Sequence, residues 1–220
     1  MIESTDTQNP AINNTLSPVW FSPSSNSKSP ADSNVLACKT RLETIAKTAV
    51  EHFQKWCLTD KRGLQLCLHI EAIKTKVLEQ MTSTTMEAKS NEEFTLYPAS
   101  MKPHCNNLLI IATICRDISV KTKESVKQLK ALSKLPGSSN EIFYRSWQLN
   151  EFVEFLSELA ERYEKEAEIR LAVAENLPHC TTRADLIRWT SAWEYPQYVD
   201  AYVHSLFKFF NEEIENKTKN

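Results

Sequence analysis

The sequence predicts an all-α protein: an elongated antiparallel helical bundle or set of coiled-coil hairpins, preceded by a disordered N-terminal tail. Three observations carry that expectation. Among 220 residues only two are glycine, Gly63 and Gly137, against nine prolines. Nucleotide-cradling loops and turn-rich β folds need several glycines for positive φ and close backbone approach, so both classes are disfavoured. From Val35 onward apolar residues recur every three or four positions, the spacing of one helix face. Blocks of opposite charge on consecutive segments also suit two antiparallel helices.

Residues 1–34 form a separate region. They hold eleven Ser or Thr and four prolines with scattered apolar residues, too few to offset chain entropy by burial, and read as disordered. Ser17, Ser22 and Ser29 each precede proline and are phosphorylation candidates for proline-directed kinases. Val19-Trp20-Phe21 is an apolar island that suits either a docking peptide or a weak local contact. Residues 35–220 form the helical bundle domain.

In the bundle, Leu42, Ile45, Ala49, Phe53 and Trp56 stripe a first helix. Thr59-Asp60-Lys61-Arg62-Gly63 reads as a turn or kink. Leu66, Ile70, Ile73, Val77 and Met81 stripe a second helix, which ends before the polar stretch around Ser83–Asn91. A loop with Phe94, Leu96, Tyr97, Pro98 and Pro103 follows. The third helix carries Leu108, Ile111, Cys115, Ile118, Thr122, Val126, Leu129 and Leu132, a rod of about 40 Å at 1.5 Å per residue. Leu135-Pro136-Gly137 punctuates its C-terminus. After Trp147 a fourth helix bears Phe152, Leu156, Leu159, Tyr163, Ile169, Val173 and Leu177 and stops at Pro178. Shorter helices are expected over Thr182–Trp193 and from about Tyr198 to Ile214, separated by Pro196.

Residues 121–134 hold five lysines and one glutamate, and residues 151–168 hold seven glutamates against Arg162 and Lys165. Antiparallel pairing would set the basic end of one helix beside the acidic start of the next, each sign matching its helix dipole. The glutamates themselves read as a solvated face. Overall the chain has 26 basic and 28 acidic residues; removing the tail leaves 25 of each. A duplex-binding surface needs a basic excess to displace counterions, so direct nucleic-acid binding is not expected.

No segment approaches the roughly 18–20 consecutive apolar residues of a membrane span, and no membrane association is expected. Met1–Asp6 has neither the basic run nor the apolar core of a secretory signal. The six cysteines, Cys38, Cys57, Cys67, Cys105, Cys115 and Cys180, lack a CxxC spacing and read as reduced, buried thiols of a nuclear or cytosolic protein.

Catalytic constellations are missing too: HExxH, GxSxG, GxxxxGK[ST] and EF-hand patterns do not occur. His104-Cys105 and His179-Cys180 are the His-Cys neighbours, but adjacent residues rarely share one metal without other ligands. Neither an enzyme nor a cofactor is expected, and a zinc module built from those four residues is the remote exception. Trp189, Trp193, Tyr195, Tyr198 and Tyr202 crowd around Pro196. Such density either plugs the end of a bundle or forms a partner surface, where Trp and Tyr dominate hot spots. Trp189, Trp193, Tyr195 and Tyr198, with the outer faces of the third and fourth helices, are the partner-contact candidates.

Between Trp147 and Val199 the chain resembles the cyclin-dependent kinase 2-interacting protein family. The residues carrying the resemblance are Trp147, Phe152, Glu154, Leu159, Tyr163, Lys165-Glu166, Val173-Ala174, Leu177, His179, Ser191, Trp193 and Tyr198-Val199, in one ungapped register. A weaker match is Lys55-Trp56 with Gly63 seven residues beyond the tryptophan. Pro196 is displaced by one position from the family pattern, Ala201–Asn220 extends past the usual end, and the tail does not match.

The resemblance implies a non-catalytic helical adaptor of cell-cycle and genome-maintenance complexes, acting in DNA replication and the DNA damage checkpoint. It also implies association with a AAA+ ATPase assembly linked to protein unfolding and ribosome biogenesis. Partners implied are AAA+ ATPase subunits, a cyclin-dependent kinase with its cyclin, and a checkpoint kinase-associated protein. The expected location is the nucleus, with the cytoplasm as second compartment. The alternative is a structural coiled-coil component of a kinetochore or tethering assembly, self-associating through the third helix.

Overall fold

The computed structural model describes residues 30–84, 96–138 and 140–215. It is all-α: α1 Pro30–Thr84, α2 Lys102–Leu132, α3 Leu149–Asn176, α4 Arg183–Glu194 and α5 Ala201–Glu215. Short 3-10 turns, Ala99–Met101 and Leu177–His179, precede α2 and follow α3. No strand occurs among the described residues; one isolated bridge joins Ile142 and Gln148. Ser17, Ser22, Ser29 and the Val19-Trp20-Phe21 island lie outside the described residues. The boundary expected at residue 34 moves, because α1 already begins at Pro30, an ordinary first-turn position for a residue without an N–H.

The kink expected at Thr59–Gly63 does not form. The first and second expected helices are one continuous α1 of 55 residues, roughly 80 Å long. Three of the five residues that suggested a turn are engaged otherwise. The Thr59 hydroxyl donates to the carbonyls of Lys55 and Trp56, Asp60 pairs with Arg170, and Gly63 faces the Trp193 ring. A glycine within a helix costs about 1 kcal/mol relative to alanine, a cost that the packing against it offsets.

Two apolar cores lie along α1. One combines its first half (Leu42, Ile45, Trp56) with the end of α2 (Val126, Leu129), the start of α3 (Phe152, Leu156) and α5 (Val203, Phe207, Phe210). The other combines its second half (Leu66, Ile70) with the start of α2 (Leu108, Ala112), the end of α3 (Val173, Leu177) and α4 (Leu186, Trp193). The start of α2 therefore meets the end of α3, the antiparallel pairing expected. Seven of the eight positions in the expected α2 stripe are buried, Leu132 being partly so. The charge blocks contribute less than their pattern suggests. Among the described residues one ion pair, Lys123 with Glu164, joins α2 to α3; Glu158 and Glu161 instead pair within α3, with Arg162 and Lys165.

Between α2 and α3, Gly137 takes φ 86°, a left-handed conformation open to glycine, and the Ser138 hydroxyl donates to the carbonyls of Leu132 and Leu135 at 2.8 Å. At the opposite bend, Glu213 of α5 receives the amides of Arg145, Ser146 and Trp147 at 2.7–2.9 Å and the Ser146 hydroxyl at 2.7 Å. That carboxylate ties the last helix to the entry of α3.

Candidate functional site

Where the two cores meet, a buried ionic node joins three helices. Arg170 and Glu166 of α3 are fully buried. Arg170 Nη2 lies 3.0 Å from Asp60 Oδ1 on α1 and 3.0 Å from Glu166 Oε1. Arg170 Nη1 donates to the carbonyl of Trp193, and the guanidinium stands 4.7 Å from the centre of the Trp193 ring. Trp193 Nε1–H donates to the Asp60 carbonyl at 3.0 Å. Glu166 Oε2 accepts the successive amides of Gln197, Tyr198 and Val199 at 3.0, 2.7 and 3.3 Å. A buried charge requires such partners, because an unpaired one is expensive in a low-dielectric interior. Burial is the largest influence on Asp60 and, with Glu166 nearby, holds its carboxyl above the ordinary value, against the opposing pull of Arg170 and His204.

The node fixes the chain from α4 to α5, where the aromatic candidates lie. Trp193 is 1% exposed; it fills the second core and is withdrawn as a contact residue. Its position is set by the buried stripe Leu186, Thr190 and Trp193, a helical spacing already present in the sequence. Tyr195, at the C-cap of α4, is 67% exposed. Tyr198 is half-buried, with Lys165 Nζ 5.5 Å from its ring centre, and its carbonyl accepts from Arg162. Trp189 is half-buried on α4 beside Arg188, whose guanidinium stands 5.8 Å from the ring centre. It lines a small recess with Asn176, His179 and Asp185.

Two further exposed aromatics lie on α5. Tyr202 is 47% exposed under the Arg162 guanidinium, 4.5 Å from the ring centre, and Phe209 is 63% exposed. The helical spacing of α5 could have singled both out, since its buried positions Val203, Phe207 and Phe210 leave Tyr202 and Phe209 on another face. Glu166 and Arg170 were hidden by their neighbours: they sit among charged residues four apart, the pattern of a solvated face. The expectation that all the α3 glutamates are solvated is corrected at Glu166, which is fully buried.

The two His-Cys pairs lie near each other, Cys105 and His179 lining one groove and Cys105 packing against the core that holds Cys180, but their side chains do not converge on one point. His179 Nδ1 lies 2.9 Å from the Tyr97 hydroxyl, the His104 ring is 5.2 Å from that of His69, and Cys180 contacts the Asn176 carbonyl. Among the described residues no group of three or more His, Cys, Asp or Glu could hold a metal. A groove of about 530 Å³ beside Tyr97 is lined mainly by apolar groups, among them Met101, Leu109 and Pro178. No helix among the described residues is long and apolar enough to cross a membrane. No protein-family model matches the chain, and no curated protein matches it.

Proposed function

We propose that this chain is a non-catalytic helical adaptor that presents the aromatic corner between α4 and α5 to protein partners. The observation that carries the reading is the pairing of a buried ionic node with outward rings. Glu166 holds the 197–199 backbone from within, while Tyr195 stays exposed beside it. Large aromatics held on a rigid backbone lose little side-chain entropy on binding, which favours them as hot spots.

The resemblance to the cyclin-dependent kinase 2-interacting protein family supports the same reading. Residues that carry it meet in space. Trp56 stacks on Tyr163 with ring centres 4.4 Å apart, Gly63 receives Trp193, and Glu166 caps Tyr198 and Val199. On that basis the partners are AAA+ ATPase subunits of an assembly for protein unfolding and ribosome biogenesis, or kinase, cyclin and checkpoint proteins of DNA replication and damage signalling, in the nucleus.

The test is affinity purification of the full chain from native cells with mass spectrometry. The expected result is recovery of an ATPase subunit or a cyclin–kinase pair by the wild type, with loss of recovery for Tyr195→Ala/Tyr198→Ala at unchanged helical circular dichroism. Equal recovery by that variant would move the contact elsewhere; recovery of no partner would sink the adaptor reading. A second reading, a self-associating coiled-coil component, draws on the exposed Leu109, Ile110 and Val120 of α2. Sedimentation showing a stable homodimer without other partners would favour it.

A further inference from the structure

Beside the first half of α1 the first apolar core is left half-covered. Val50 of α1, Tyr144 of the α2–α3 connection and Ile214 of α5 are half-buried and pack against that core. With the buried Ala46 they line a groove of about 490 Å³, whose other lining residues include Glu43, Lys47 and Glu215. Half-covered apolar side chains gain from any apolar group that takes the rest of their surface out of water.

The chain itself supplies such groups. Residues 1–29 precede α1, and their aromatic side chains are Trp20 and Phe21, next to Val19. The tether decides where these rings can go. Trp20 stands ten positions before Pro30, a length of chain that spans at most about 33–36 Å. Because α1 runs unbroken from Pro30, Ala46 and Val50 lie about 24 and 30 Å along it, at 1.5 Å per residue. Both are within reach. The apolar groove beside Tyr97 is not, since Tyr97 lies against Lys74, about 66 Å from Pro30 by the same rise. A groove between Arg41, Thr48, His52 and Lys121 is within reach, but its lining is mainly polar. Aromatic rings there would displace water without replacing its hydrogen bonds. The five residues after Glu215, Asn-Lys-Thr-Lys-Asn, follow the groove directly but hold no apolar side chain to fill it.

We propose that the groove between α1 and Ile214 is the docking site of the chain's own Trp20-Phe21, folded back along α1. A short tether holds the rings near the groove at an effective concentration of about millimolar, so a modest apolar contact suffices. Each ring can bury about 150–250 Å². The seated rings cover the open side of the first core and close the groove to other proteins. The docking uses no residue of the α4–α5 corner, so it stands or falls apart from the adaptor reading.

The experiment replaces Phe21 of the full chain with the photo-crosslinker p-benzoylphenylalanine. Unlabelled and heavy-isotope-labelled protein are mixed in equal amounts and irradiated, and the crosslinked peptides are sequenced. A parallel sample is irradiated in native cells. The expected crosslinks join position 21 to residues 43–54, to Tyr144 or to Ile214 and Glu215, within single chains of one isotope. Trp20→Ser and, separately, Val50→Lys should each lower their yield at least about threefold at unchanged helical circular dichroism. Position 20 precedes α1, so Trp20→Ser remains a fair test even if Val50→Lys unfolds the chain. Crosslinks elsewhere in the chain, mixed-isotope crosslinks to a second copy, capture of a different protein in cells, or no crosslink would overturn the proposal. An unchanged yield for Trp20→Ser would do the same.

Discussion

The backbone of Gly63 and the indole of Trp193 share space that no side chain at position 63 leaves open: a Cβ there would stand 2.0 Å from Cζ2. In an exposed helix interior, Gly→Ala is worth about 1 kcal/mol of added stability. Here Gly63→Ala should instead destabilise by about 2 kcal/mol, because the buried ring has nowhere to move. Urea unfolding monitored by circular dichroism gives the sign directly. A Trp193→Phe change in the same chain should recover part of the loss, with a coupling of about 1 kcal/mol or more in the double-mutant cycle.

Charge pairs on α3 should differ widely in worth. Arg170→Met leaves Asp60 and Glu166 without their shared cation, and breaking a buried pair from one side costs about 3–5 kcal/mol. Glu161→Gln on the same helix removes an exposed pair with Lys165, which solvent screens, and should leave the unfolding midpoint almost unchanged. Equal unfolding midpoints for the two variants would refute the division between node and surface.

Two carboxylates should give opposite slopes in a stability-against-pH curve. Burial pushes Glu213 up, but the hydrogen bonds from Ser146, Trp147 and Arg145 outweigh it and hold the carboxyl below its ordinary 4.5. Its stabilisation is present above that value and disappears as pH falls through the lower native value. Asp60 is held above its ordinary 3.8, chiefly by burial. Its contribution is therefore fullest in acid and declines as pH rises through that raised window. Urea titrations from pH 3 to 7 should show Glu213→Gln losing the acid-side decline and about 1–3 kcal/mol at neutrality. Asp60→Asn should remove the opposing slope.

Cysteine reactivity should follow burial. Burial is the main cause that pushes the Cys67 thiol up to about 12 and Cys115 to about 11, leaving little thiolate to attack a reagent near neutrality. Native protein treated with a thiol-specific chromogenic disulfide should label at the half-buried Cys57 and Cys105, and at Cys67 and Cys115 only with unfolding. Prompt labelling of Cys67 in folded protein would contradict the packing of the second core.

The helices were legible because their information is local. In α2 the stripe from Leu108 to Leu129 repeats at helical spacing and is buried along its length. What escaped was information held jointly by distant residues. Gly63 looks like a turn until Trp193, far along the chain, is packed against it. Glu166 resembles Glu161 and Glu168 in sequence, and only the 197–199 amides and Arg170 separate it from them. The aromatic cluster was visible as a cluster, but its division into buried Trp193 and exposed Tyr195 depends on which face of α4 meets α1.

Because α1 runs unbroken through both apolar cores, neither half of the molecule has a backbone of its own. The two regions are therefore expected to melt together, and amides near Leu42 and near Ile70 should exchange hydrogen through one shared global opening. A single protease cut within Thr59–Gly63 would be felt at both ends of the molecule, like a spine severed at the waist.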